Sequence, residues 1–512
     1  MPRSLLGRLG FLLLLAASWA ARPARGEWLE TRKFRGADTA PNDQFGEALA
    51  LEGDRLAVGV PNDDSPLGDA GSVYLFERNK GGAERWGEVA KLTASDADWS
   101  SYLGVSVALD GDTVVAGASG ADDFAGAAYI FERQADGQWA QTAKLTRPPD
   151  PDTDTFGNSV AVEGDTLFVG SEGDNEKGAL AGAVWVYERH TAGPPQWRLM
   201  AKLTAESPTP DARFGNAAAV EGRILAVGAY KDSEKALAAG AVHIFERGES
   251  NTWVEVAKLM ASDGALGDWM GREAVAISGW TVVAGAPESD NGGAAYVFER
   301  DETGAWAETA KLTDSDTDLG EFGASVAIFG DLIVVGDIYE DLLGDVTGAA
   351  YLFQRQADGN WLEVAKLKAS GGAYLDTFGT SVAAGAATTI VGAPADDDVG
   401  FNSGSAYVFL EREVSLSLAG LCPGEITLTI TGATPQAPVA VLHGEEGMGQ
   451  VPGGPCAGTQ LGLADPRLAG VAITDLTGGL TMTRVLESQA CDRFVQAVDL
   501  ATCAVSGVAA LP

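Results

Sequence analysis

Carboxylates are the side chains of this sequence with chemistry to offer. Aspartate and glutamate number 72 against 35 lysines and arginines, and the formal net charge is -37. Two segments place carboxylates at every second position: Asp150, Asp152 and Asp154, then Asp314, Asp316 and Asp318. Alternating oxygens suit a hard divalent cation. The second segment has Leu319 where a calcium loop needs glycine, with Gly320 one place late. Asp314, Asp316 and Asp318 are the candidate metal ligands, and calcium is the candidate cofactor. The same loops carry Trp99, Tyr102, Tyr230, Trp269, Tyr339, Tyr374 and Phe401, with Phe124 beside them. Rings on loops over a rigid scaffold anchor proteins or glycans, or else fold down to plug gaps. Histidine is scarce: His190, His243 and His443 lie far apart in the chain, which disfavours a Ser-His-Asp triad or a clustered His-metal site. No phosphate-binding Gly loop stands in a strand–helix context. The expectation is that the chain is not an enzyme.

The elements that must position these residues repeat. Phe322 to Leu367 reads as four short β-rich runs split by Gly, Asp and Asn turns, the pattern of a small antiparallel sheet. Its opening pair recurs at Phe45-Gly46, Leu103-Gly104, Phe156-Gly157, Phe214-Gly215, Met270-Gly271 and Phe378-Gly379, at spacings of 52 to 58 residues. The seventh unit lacks a fourth run. Trp28 to Phe34 supplies one, because it aligns without gaps to Trp361 to Leu367. A displaced N-terminal strand is how a radial array protects its last edge. The fold class is all-β: a seven-bladed β-propeller over residues 27–412, closed by an N-terminal strand and followed by a small β-sandwich. Strand parity puts the loops between second and third strands on the same face as the links between blades. That face collects about half of the acidic residues. It is either a solvated rim, with Asp as a turn former, or a face that binds cations or a basic partner. Lys33, Lys91, Lys144, Lys202, Lys258, Lys311 and Lys366 recur once per blade and read as structural, in cross-strand pairs with the Glu-Arg ends of third strands. The recurring fourth-strand tryptophans read as packing.

Phe-Gly, then Gly285-Ala286-Pro287 or Gly392-Ala393-Pro394, then Gly-Ala-x-Tyr-x-Phe, resembles the FG-GAP repeat of integrin α-subunit propellers and of many secreted bacterial proteins. Some copies drift, as at Gly336-Asp337-Ile338 and Gly170-Ser171-Glu172. The resemblance implies the propeller fold and an extracellular binding or adhesion role. Calcium-binding copies in that family carry their ligands between the first and second strands. Here that connection is a tight turn, such as Gly53-Asp54 or Gly330-Asp331, too short to wrap a cation. Those sites are therefore not carried over.

The charge argues against nucleic acid as a partner. Residues 1–26 read as a signal peptide: Arg3 and Arg8, an apolar stretch from Phe11 to Ala17, and small residues near Ser18-Trp19-Ala20. No run is long enough for a transmembrane helix. Residues 413–512 leave the repeat and read as a disulfide-containing sandwich. Its four cysteines suggest two bridges. Three pairings are open, and Cys422–Cys503 with Cys456–Cys491 is preferred. The functional expectation is a monomeric, non-catalytic binding or adhesion protein, secreted or held at the cell surface. Its partner is an extracellular protein or glycan. The alternative is a carbohydrate-binding or carbohydrate-active propeller.

Overall fold

The structure is a computed structural model. It describes residues 27–148, 155–190, 196–315, 320–342 and 345–412, apart from 81, 83 and 84. Beyond these it describes 415–420, 424–431, 438–450, 460–474, 479–486, 494–499, 506, 509 and 510. The chain divides into two compact units, one of them Trp28–Leu410 and the other including Glu411–Pro512. The signal peptide expected over 1–26, Asp316 and Asp318, the run from Asp150 to Asp154, and all four cysteines lie outside the described residues.

Seven four-stranded antiparallel sheets follow one another. The first is Ala48–Glu52, Arg55–Val60, Ser72–Glu77 and Gly87–Leu92. Second strands are almost wholly apolar and buried, as in Thr113–Ala118 and Thr281–Ala286. Fourth strands alternate, as in Trp306–Leu312, because one side of each faces water. The seventh sheet has the order Glu27–Phe34, Ser405–Arg412, Thr388–Ala393, Ser381–Gly385. The N-terminal strand is thus the outer strand of the last blade. First strands neighbour one another around the ring, including Ala48–Glu52 with Ser381–Gly385.

The repeat motif is the contact between blades. Each opening Phe, Leu or Met is fully buried. Burying such a side chain contributes roughly 1.5–3 kcal/mol. Each opening residue also bridges to a glycine of the preceding blade, Phe322 to Gly293 and Phe45 to Gly404 among them. The first glycine of Gly-Ala-Pro meets the carbonyl of the next Phe-Gly glycine. A Cβ on Gly285 would overlap the Gly323 oxygen, and one on Gly392 the Gly46 oxygen. Blade seven therefore meets blade one through the same pair that joins blade five to blade six. Ser381 Oγ also donates to the Gly46 oxygen at 2.6 Å, as Ser325 Oγ does to Gly379 at 2.7 Å.

In the C-terminal unit, Ser415–Gly420, Gly424–Thr431 and Leu480–Leu486 form one sheet. Pro438–Gln450, Gln460–Ile473, Phe494–Asp499 and Ala509–Ala510 form a second. Ile430, Val439, Val441, Val495 and Ala497 make a core between them. Pro438–Gln450 and Gln460–Ile473 pair over a long hairpin with three register shifts.

Candidate functional site

The recurring lysines organise the loop face, and their role differs from the sequence reading. They do not pair with the Glu-Arg ends of third strands. Lys91 lies 2.8 Å from both Asp38 and Asp63. Lys144 reaches Asp96 at 2.8 Å and Asp122 at 2.9 Å. Lys311 reaches Asp263 at 2.7 Å and Asp290 at 2.6 Å. In each of these three pairs one carboxylate comes from a blade link and the other from a loop between second and third strands. Strand parity thus brought the two loop families together. The lysine stems are largely covered, and the ammonium stands over the third-strand ring: Lys91 over Tyr74 at 5.1 Å, Lys202 over Trp185 at 4.8 Å. Burial works against the Lys91 charge, but the hydrogen bonds to Asp38 and Asp63 outweigh it and raise its pKa. The ammonium fills the carboxylate cluster from within. Blade four keeps the cluster, with Lys258 reaching Asp232 at 2.9 Å and Glu234 at 2.7 Å, but its third-strand ring is His243, whose Nδ1 lies 2.7 Å from Glu255 Oε1.

The Glu-Arg ends serve the opposite face, where they tie neighbouring blades. Arg189 bonds Glu132 at 2.8 Å, Arg300 bonds Glu246 at 3.1 Å and Arg355 bonds Glu299 at 2.8 Å. Arg189 and Arg355 also lie over the fourth-strand rings Trp197 and Trp361.

The aromatic candidates separate into two groups. Trp99, Tyr374 and Phe401 are 69%, 64% and 66% exposed, and Tyr339 and Phe124 are exposed as well. Trp99 lies against Gly68, where a Cβ would run into its ring. Tyr102, Tyr230 and Trp269 are half-buried. Tyr230 and Trp269 meet edge to face at 6.3 Å, and Arg272 lies 5.0 Å from the Trp269 centroid. Of the candidate metal ligands only Asp314 is described. Among the described residues no three His, Cys, Asp or Glu side chains are placed to hold a metal ion.

Burial raises the pKa of Glu47, Glu172 and Asp337. Glu47 follows Phe45-Gly46 in blade one. It is half-buried, and burial pushes its carboxyl up to about 7, with Glu273 of blade five adding repulsion. Glu172 of blade three is also raised by burial, against Arg213, and feels Glu273 too. Blades one, three and five are not neighbours in the ring. Asn216 of blade four stands between two of them, its Oδ1 accepting from the Glu273 amide at 2.8 Å. Glu172 is held by Asn216 Nδ2 at 2.8 Å and Arg213 at 3.5 Å. The third group, Asp337, takes the alanine position of Gly-Ala-Pro in blade six and is 0% exposed. Burial pushes it up to about 7, and Asp314 and Glu340 add repulsion. Its Oδ1 accepts from the Glu321 amide at 2.9 Å.

Sequence reading missed Glu47 and Glu273. A comparison of the residues just after each Phe-Gly would have singled out Glu47, since blades two and six have Val105 and Ala324 there. It noted the Asp337 drift without seeing its burial.

This architecture defines a seven-bladed β-propeller with an acidic loop face rimmed by exposed rings. The chain belongs to the FG-GAP repeat family, whose model matches seven times, at residues 28–76, 86–131, 139–187, 197–245, 253–298, 306–353 and 361–409. The matched unit starts at a fourth strand, so each repeat straddles two blades. Comparison with curated proteins finds no match. Among solved structures, the chain is similar to the periplasmic gluconolactonase of Pseudomonas aeruginosa at 16% identity and a TM-score of 0.42, covering 64% of this chain and 86% of that one. A proposed 6-phosphogluconolactonase from Bacteroides uniformis gives 12% identity, a TM-score of 0.43 and the same coverage. A protein from Lactobacillus plantarum gives 12% and 0.46, over 84% of this chain and 99% of that one. The expectation that the chain is not an enzyme is corrected here, because two of these similar structures bear lactonase names. At such identities and TM-scores the likeness carries no activity over to this chain.

Proposed function

We propose that this is an extracellular binding protein that engages a protein partner carrying basic groups through the loop face of its propeller. The observation behind the reading is the exposure of Trp99, Tyr374 and Phe401 on one face of the disc. Large rings held in water over a rigid scaffold are the side chains that anchor interfaces. Their acidic surroundings favour a basic partner over an acidic one. The composition of residues 1–26 supports export.

The test compares the wild type with the triple variant Trp99→Ala, Tyr374→Ala, Phe401→Ala. Both are immobilised and exposed to proteins of the exterior milieu and to a glycan array. The expected result is selective retention of a basic protein that the triple variant loses while its melting curve is unchanged. Equal retention by both proteins would remove the rings from the site. Retention on the glycan array alone would replace the protein partner with a carbohydrate.

A further inference from the structure

The face opposite the acidic loops is made of two tight turns from each blade, and blade five departs from the others there. In blades one, two, three and six the second residue of the turn between first and second strands is Asp54, Asp112, Asp165 and Asp331. Asp54 lies 3.4 Å from Arg78 and Asp165 lies 3.6 Å from Arg189, both at third-strand ends. Blade five has Trp280 at this place. A turn tip calls for a short polar residue, not a ring, yet the indole stands here 55% exposed. Arg300 lies 4.8 Å from its centroid and steadies it. The Gly279 amide donates to Glu221 of blade four at 2.8 Å, which pins the turn itself. Trp280, Arg300 and the neighbouring turn from Asp301 to Gly304 bound an open recess of about 450 Å³. Small-molecule sites run from roughly 300 to 1,000 Å³. The Asp301 turn is preorganised: its Oδ1 accepts from the Thr303 amide at 2.8 Å, the Thr303 hydroxyl at 2.6 Å and the Ala305 amide at 3.0 Å. The Thr303 hydroxyl, with these amides, holds the Asp301 carboxyl below its ordinary range, so it stays an acceptor. Arg300 spends Nε on the Gly304 carbonyl at 3.2 Å and Nη2 on Glu246 at 3.1 Å. Asp301 Oδ2, the Glu302 carboxylate and Arg300 Nη1 have no hydrogen-bond partner among the described residues.

We propose that this recess binds the neutral hexopyranose ring of a glycan, which lies on Trp280 and shares hydroxyl hydrogen bonds with Asp301, Glu302 and Arg300. The site is on the other side of the disc from the loop face and does not rest on the role proposed above. The face of an indole is partly negative, and the C–H groups of a pyranose carry the opposite partial charge. A sugar hydroxyl both donates and accepts, so hydroxyls on neighbouring carbons meet a carboxylate and a guanidinium together. Other ligand classes suit the recess less well. Two carboxylates repel an anion. A metal ion needs more oxygen ligands than the described residues bring together, and Arg300 repels it. An apolar ligand would strip water from the carboxylates without replacing its hydrogen bonds.

The experiment is saturation-transfer NMR of the full chain with the methyl glycosides of glucose, galactose, mannose and N-acetylglucosamine, followed by a glycan array. At least one glycoside should receive saturation, most strongly at its ring C–H protons. Binding should be unchanged between about 50 and about 500 mM sodium chloride, because no ion pair forms. Trp280→Asp installs the turn residue of four other blades, so the turn still closes, and it should weaken binding about tenfold. Trp280→Phe keeps a ring and should retain part of the affinity. Glu302→Gln should weaken binding less than Trp280→Asp does. No saturation of any glycoside, binding that Trp280→Asp retains in full, binding that salt abolishes, or retention of acidic glycans alone would overturn the assignment. The salt series on the wild type needs no variant, so misfolding of a variant leaves the proposal testable. The triple variant at Trp99, Tyr374 and Phe401 should bind the glycosides as the wild type does. Loss of binding in that variant would move the sugar to the loop face and overturn this site.

Discussion

The ammonium of Lys311 stands 5.3 Å from the centroid of the Tyr296 ring. That one contact joins a fourth strand to a third and brings the charge between Asp263 of the link and Asp290 of the loop. The ring gives the stem a fixed support, and the tyrosine hydroxyl donates to Asp263 at 2.8 Å. With small changes the arrangement recurs around the disc. It offsets part of the charge that the loop sequences place on this face.

Replacing Lys311 with Met keeps the apolar stem and removes the charge. Asp263 and Asp290 are then left to repel, partly screened because both are well exposed. The expected loss is about 1 kcal/mol, read by urea unfolding and largest at low salt. No change in the denaturation midpoint would show that solvent already neutralises the pair.

Asp337 gives a pH signature of opposite direction to most carboxylates. Its folded pKa is raised to about 7 from an ordinary 3.8. Between those values the folded state holds a proton that the unfolded state has lost, so stability falls as pH rises through that window. Asp337→Asn keeps an acceptor for the Glu321 amide and cannot ionise. The variant should match the wild type near pH 4 and exceed it by about 1–3 kcal/mol at pH 8. Equal stabilities at both pH values would mean that Asp337 ionises without penalty.

Gly285 tests the meaning of the repeat motif. Its missing Cβ is the room that the Gly323 carbonyl occupies. Gly285→Ala should destabilise the ring by about 2–3 kcal/mol, by pushing blade six off blade five. Gly330→Ala lies in open space but at a φ of +57°, so it should cost about 1 kcal/mol through backbone strain alone. Thermal unfolding of the two variants separates crowding from strain. Similar melting temperatures would deny the interblade contact its weight.

Deleting residues 27–34 should lower the melting temperature by more than ten degrees or cause aggregation, because Ser405–Arg412 becomes an exposed edge. The strand also brings Lys33 to Asp396 and Asp398, and Glu30 to the Ser370 amide at 2.7 Å. An unchanged melting curve would leave the seventh blade stable on three strands.

Blade number, strand order and the sharing of a face by two loop families were legible because they follow from period and parity, which a linear sequence carries. Trp99, Tyr374 and Phe401 were legible as loop rings but not as exposed ones, because Tyr102, Tyr230 and Trp269 stand in similar loops and are half-buried. The Lys91 cluster was not, because its partners come from Asp38 and Asp63, on different connections. Nothing in the spacing says which of several nearby carboxylates a flexible ammonium selects. Glu47 and Glu273 were hidden for a related reason. They belong to blades that are distant in the chain and not adjacent in the ring, and no local pattern marks either of them.

Thr31 donates to the carbonyl of Val408 across a sequence separation of 377 residues. The first strand of the propeller is therefore among the last of its strands to find its place. Until the seventh blade has been made, Trp28 to Phe34 has no sheet to join, and the growing array presents an open edge at its far end. Joining ends so far apart adds only a logarithmic entropy term, so the delay is set by synthesis and by assembly of the intervening blades. A chain that stops short by one blade cannot latch. Completion of the ring thus reports that the propeller has been translated in full, and a truncated product keeps the edge that marks it for aggregation or removal.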